Sequence, residues 1–158
     1  MMSGTGLVSI HVPADVAETI SNDGFFPAVD PNEARKAERI TDTITPERLV
    51  YALANAMMSA NLTLDEWKQT QIADGYASLA DVPDIAIGGV KRKHRLYLRA
   101  VYALAHADLI ERYPDYSLTP AGERKSAVVT LAGDDHYRNA HWALSDIVGK
   151  SRTTVELI

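Results

Sequence analysis

Cysteine is absent from the 158 residues, which excludes disulfides, cysteine-ligated zinc, iron–sulfur clusters and thiol nucleophiles. Long hydrophobic runs are missing too. The densest apolar stretch, Leu96 to Ile110, carries Arg99, His106 and Asp108 and is too short to span a bilayer. The first eighteen residues have no basic region and no continuous apolar core, so no signal peptide is expected and synthesis in a cytoplasm is the natural reading. Catalytic signatures are lacking as well: there is no phosphate-binding P-loop, dinucleotide glycine motif, HExxH, GxSxG or EF-hand loop. Phenylalanine is scarce, with only Phe25 and Phe26, and residues 1–30 hold no lysine or arginine at all.

What is present describes one ordinary domain. Apolar residues make up 46% and charged residues 23%, and a chain of this length buries roughly two thirds of its unfolded surface. The net charge of −5 argues against a dedicated duplex-DNA binder, which carries a basic footprint. The charge is polarised, however. Residues 1–30 hold four acids, whereas residues 91–99 hold Lys91, Arg92, Lys93, Arg95 and Arg99 and no acid. Such polarity suits head-to-tail self-association or a polyanionic partner.

Residues 1–24 mix Gly4, Gly6, Pro13 and Gly24 with small polar residues and read as an extended arm, either disordered or ordered on a neighbour. Leu7, Val8, Ile10 and Val12 make at most a short strand. Phe25 and Phe26 are adjacent and followed by Pro27, so they cannot share one face of a regular element and are expected to anchor the arm to something apolar. Residues 25–149 then form a helical domain. Asp30-Pro31 starts a helix to about Ile40 by N-cap and N1 chemistry, and Thr45-Pro46 starts a longer one. The stripe Leu49, Leu53, Met57, Ala60, Leu64, Trp67, Gln71 carries that second helix to Asp74, with a break near Asn61 admitted. Tyr76 to Gly89 is read as an irregular connector. A third helix, Lys91 to Tyr113, begins cationic and turns apolar nearly all round, which places it centrally. Its five cations oppose the helix dipole and ask for a further reason. Thr119-Pro120 opens a fourth helix to Val148, with Gly149 at C′. Gly133 within it costs about 1 kcal/mol against alanine, which suggests a close helix crossing. The expected fold is all-α: a bundle of about four main helices, an N-terminal arm (1–24) and an extended C-terminal tail (150–158). The tail ends in Val155, Leu157 and Ile158 and suits strand addition to a partner.

No cofactor, metal or catalytic set emerges from the residues. Asp134-Asp135-His136 with Asn139 and His141 is the densest polar cluster, but His136 and His141 point about 140° apart on a helix. It reads as a solvated face or an intersubunit contact. His106 reads as a hydrogen-bonded core histidine. Trp142 lies off the Tyr137–Leu144 stripe, in a second core face or at an interface. The segment 91–99 leaves open a small helical nucleic-acid-binding regulator as the alternative function.

Five pieces fall in a known order: FFPAVDP (25–31), TITPERL (43–49), QIADGYASLADVP (71–83), LIERY (109–113) and WALSDIVGKSRTTVELI (142–158). From Phe25 onward the chain resembles the phage head completion protein family, called GpL. Tyr137 stands where that pattern suggests tryptophan, and Ser151 where proline often follows the Gly-Lys pair. The resemblance implies a non-enzymatic virion protein acting after genome packaging. It implies binding to the portal protein as a ring, in twelvefold symmetry, that stabilises the filled head and offers a platform to a neck or tail completion protein. By the same resemblance Ser151, Arg152, Thr153, Thr154, Val155, Glu156, Leu157 and Ile158 form a portal-binding tail. Lys91, Arg92, Lys93, Arg95 and Arg99 then face either a neighbouring subunit, the favoured side, or the lumen through which DNA passes without sequence-specific binding. No membrane partner is implied.

Overall fold

The structure, a computed structural model, describes residues 18–114 and 125–150. The arm residues 1–17, the Thr119-Pro120 helix start and the tail Ser151–Ile158 lie outside them. In chain order the elements are α1 (Pro31–Glu38), α2 (Pro46–Thr63), α3 (Asp65–Ala73), a 3₁₀ turn (Leu79–Asp81), β1 (Ala86–Ile87), β2 (Val90–Lys91), α4 (Arg92–Arg112) and α5 (Lys125–Val148).

Local chemistry starts and stops these helices where the sequence says. The Asp30 carboxylate accepts the Asn32 N–H at 2.8 Å, with Pro31 at N1. Thr45 Oγ1 accepts the Arg48 N–H at 3.4 Å, with Pro46 in the same role. Arg39, in the left-handed region at φ 54°, ends α1, and Gly149 at φ 79° follows α5.

Two expectations need correction. Five α-helices stand among the described residues rather than about four, because the second helix divides at Leu64, close to the break admitted near Asn61. Leu64 leaves helical geometry (ψ 2°) while its side chain is fully buried, and Thr63 Oγ1 bonds back to the Ser59 carbonyl at 2.9 Å, a contact that bends helices. The turn lets Trp67 reach the core from α3. The connector is also not wholly irregular. Gly88 and Gly89, both at positive φ, form a two-residue turn that pairs Ala86 with Lys91 and Ile87 with Val90 antiparallel. Two positive-φ residues in succession are what a primed hairpin turn requires, so the glycines that looked like breakers make the strands.

Helix α4 is the hub. It packs against α1, α2 and α5, and no residue from Ala100 to Ile110 is exposed, as an apolar circumference demands. The core gathers Leu49, Leu53 and Leu64 from α2 and α3's approach, Tyr97, Val101 and Leu109 from α4, and Ala143, Leu144 and Ile147 from α5. Gly133 is not explained by a close crossing. Among the described residues a Cβ there would meet Glu111 Oε1 alone, at 3.9 Å, an ordinary contact. The Arg35 side chain is buried and donates to the carbonyls of Thr41 (2.8 Å) and Ile44 (2.9 Å), which fixes the link between α1 and α2. No helix among the described residues is long and apolar enough to cross a membrane.

Candidate functional site

The cationic start of α4 has its reason in Asp84, whose side chain is 1% exposed. Asp84 Oδ2 accepts the Lys93 N–H at 2.6 Å, and Oδ1 accepts the Ile85 N–H at 2.9 Å. It also pairs with Arg92 Nη2 (3.1 Å) and Lys93 Nζ (3.6 Å). The helix thus takes its cap from an upstream loop, and that carboxylate offsets the cations at the positive dipole end. Burial alone raises the Asp84 pKa, but the two N–H donors and the Lys93 and Arg92 charges outweigh it and hold the carboxyl below the usual range. Lys91 Nζ reaches back to the carbonyls of Ala80 and Val82, and Arg95 Nη2 donates to Ile87 O at 2.8 Å. Burial, and then the Arg95 charge, lower His94. Lys91, Arg92, Lys93 and Arg95 therefore all hold partners within the chain. Arg92, Arg95 and Arg99 keep exposed surface.

Phe25 and Phe26 are both buried, at the junction of α2, α3 and α4. Asp23 Oδ1 accepts their two N–H groups (3.0 and 2.9 Å), while Oδ2 pairs with Lys68 Nζ at 3.0 Å. Phe25 stands edge-on to Phe26 (5.0 Å, 83°) and to Trp67 (6.2 Å, 78°). Phe26 stacks on Tyr97 (4.8 Å, 5°). Beneath the stack runs a closed hydrogen-bond ring. Tyr97 Oη donates to Asn61 Oδ1 (2.6 Å), Asn61 Nδ2 to Asn22 Oδ1 (2.8 Å), and Asn22 Nδ2 to Tyr97 Oη (2.8 Å). Burial pushes the Tyr97 phenol up to about 12. Ile20 and Val29 exchange backbone hydrogen bonds at 2.8 and 3.0 Å, so residues 20–23, the end of the arm segment as read from sequence, are paired with the bundle.

Helix packing also assembles a group that spacing along the chain does not reveal. Glu38 closes α1, His106 sits mid-α4, and His136 lies on α5. His106 Nδ1 stands 2.9 Å from Glu38 Oε2, His136 Nδ1 stands 3.9 Å from the same oxygen, and the imidazole centroids are 4.2 Å apart. The hydrogen bond from His106 holds Glu38 below the usual carboxylate range against its burial. Burial and the neighbouring His106 lower His136 although Glu38 pulls the other way. The Asp-Asp-His run therefore divides: Asp134 and Asp135 are exposed, Asp135 pairs with Arg138 at 2.6 Å, and His136 turns inward. His106 is the hydrogen-bonded histidine expected. His136 needed the α4–α5 register, which no single-helix pattern supplies. Trp142 is half-buried beneath Arg138, whose guanidinium carbon lies 5.3 Å from the ring centroid.

The family described as phage head completion protein (GPL) matches residues 20–158. A head completion/stabilization protein of Escherichia phage P2 is 38% identical over 157 residues, covering 99% of this chain and 93% of the relative. No solved structure matches the chain. With a family match from residue 20 to the last residue and a relative aligned nearly end to end, the chain belongs to the phage head completion protein family, whose members are structural components of the virion.

Proposed function

We propose that this protein binds the portal vertex as a ring once the genome is packaged, stabilises the filled head and presents the platform on which neck or tail proteins assemble. The observation that carries the reading is the family match, whose span of residues 20–158 includes Ser151–Ile158. A tail that ends in Val155, Leu157 and Ile158 follows a helix already closed at Val148, with the Lys150 N–H bonded to Ser145 O at 3.1 Å. It suits addition to a partner's sheet edge, and many weak copies on one ring act together. The protein is read as non-enzymatic.

The basic segment supports a protein neighbour over DNA. Four of its five cations are held in fixed directions by Asp84 and by the carbonyls of residues 80–87, and an adaptor that must let the genome pass gains nothing from holding a duplex tightly. Arg92, Arg95 and Arg99 face an acidic surface of the adjoining subunit in this reading.

The test is reconstitution with the portal ring, imaged by electron microscopy. Full-length chain decorates the ring, and a chain lacking residues 150–158 does not, while both show the same helix content by circular dichroism. Equal decoration by the shortened chain removes the tail from the mechanism; salt-sensitive duplex binding by the isolated protein favours the regulator instead.

A further inference from the structure

Glu38, His106 and His136 reach one point from three helices, and their ligand atoms all lie within 4.8 Å of one another. We propose that they form a binding site for a divalent transition metal ion of the zinc class, clamping α1, α4 and α5 together. Two imidazoles and one carboxylate form a donor set that suits zinc and its first-row neighbours, and calcium and magnesium poorly. In a tetrahedral zinc site the metal–nitrogen distance is about 2.0–2.1 Å, which sets neighbouring ligand atoms roughly 3.3 Å apart. The separations from Glu38 Oε2, 2.9 Å to His106 Nδ1 and 3.9 Å to His136 Nδ1, bracket that value, and no pair of the three ligand atoms is more than 4.8 Å apart.

The site is preformed by packing. All three side chains are largely but not fully covered, with 21%, 14% and 24% exposure for Glu38, His106 and His136, so an ion has an entry path and water takes the fourth position. On binding, the metal replaces the hydrogen bond between His106 Nδ1 and Glu38, and the neutral imidazole keeps its one N–H at Nε2. Arg99, near enough to act on the Glu38 charge, weakens affinity without occupying the site. The inference concerns these residues alone and stands whether or not the portal reading holds.

The probes are Zn²⁺ and Co²⁺ added to the full-length chain after chelator treatment. One equivalent binds by calorimetry, the melting temperature rises, and Co²⁺ gives the visible absorption of a low-symmetry N/O site. His136→Gln and Glu38→Gln each weaken binding at least tenfold, whereas His141→Gln on the exposed side of α5 and His94→Gln leave it unchanged. In the unmutated protein, Co²⁺ broadens the imidazole NMR signals of His106 and His136 and spares those of His94 and His141, a readout that does not depend on any variant folding. No binding, binding that survives His136→Gln, or broadening centred on another histidine overturns the site.

Discussion

The Lys93 amide donates to the Asp84 carboxylate at 2.6 Å, so the most basic helix start in the chain is capped by an acid brought from the preceding hairpin segment. The same carboxylate receives Arg92 and Lys93 charges. Asp84→Ala removes the cap and leaves both cations at the positive end of the dipole, with an expected loss of about 1–3 kcal/mol. Chemical denaturation of both proteins at neutral pH and fixed salt reads that loss; a change under half a kcal/mol would show that the cap contributes nothing.

The same contact dictates an acid dependence. Asp84 and Asp23 are both held below the ordinary aspartate value of 3.8 in the folded state, despite burial. A depressed folded pKa means that the unfolded chain binds protons first as acid is added, so the stabilisation is fully present above the unfolded value of 3.8 and is lost as pH falls through the folded pKa. Melting curves across pH 6 to 2 should show the Asp84→Asn variant less stable than the parent at pH 6 and the two converging at the acid end.

Tyr97→Phe keeps the stack on Phe26 but opens the ring joining Asn22, Asn61 and Tyr97. Asn61 Oδ1 then loses its donor and Asn22 Nδ2 one acceptor, although Asn22 Nδ2 retains Pro27 O at 2.8 Å. The expected cost is about 1–2 kcal/mol. Hydrogen exchange should speed most in the amides of residues 20–29, which the ring ties to α2 and α4.

Gly133→Ala is expected to stabilise. Among the described residues its Cβ meets Glu111 Oε1 alone, at 3.9 Å, so the substitution is expected to gain helix propensity of up to about 1 kcal/mol. A raised melting temperature in the isolated protein checks this. If the alanine variant is more stable yet assembles poorly on a portal ring, the glycine serves a contact outside the chain.

Capping made the starts of α1 and α2 legible, since Asp30-Pro31 and Thr45-Pro46 act through bonds only two or three residues long. The all-apolar circumference likewise marked α4 as the hub. What stayed hidden was set by packing between distant residues. Gly88-Gly89 is both a breaker and a hairpin turn, and only the pairing of Ile87 with Val90 decides. The break admitted near Asn61 falls at Leu64, and its exact place was hidden because the same spacing serves either side of a bend. Asp84 and Lys93 are nine residues apart, and Glu38 and His106 sixty-eight, beyond any local periodicity. The arm end was misleading for the same reason: polar Asn22 looks like linker composition until Tyr97 and Asn61 close around it.

Because α1, α2 and α5 all lean on α4, the order of synthesis matters. The first two helices leave the ribosome with only each other to pack against until α4 has been translated. Their apolar faces must wait in the nascent chain, open to chaperones and to other copies, and burial of the core comes late and nearly all at once.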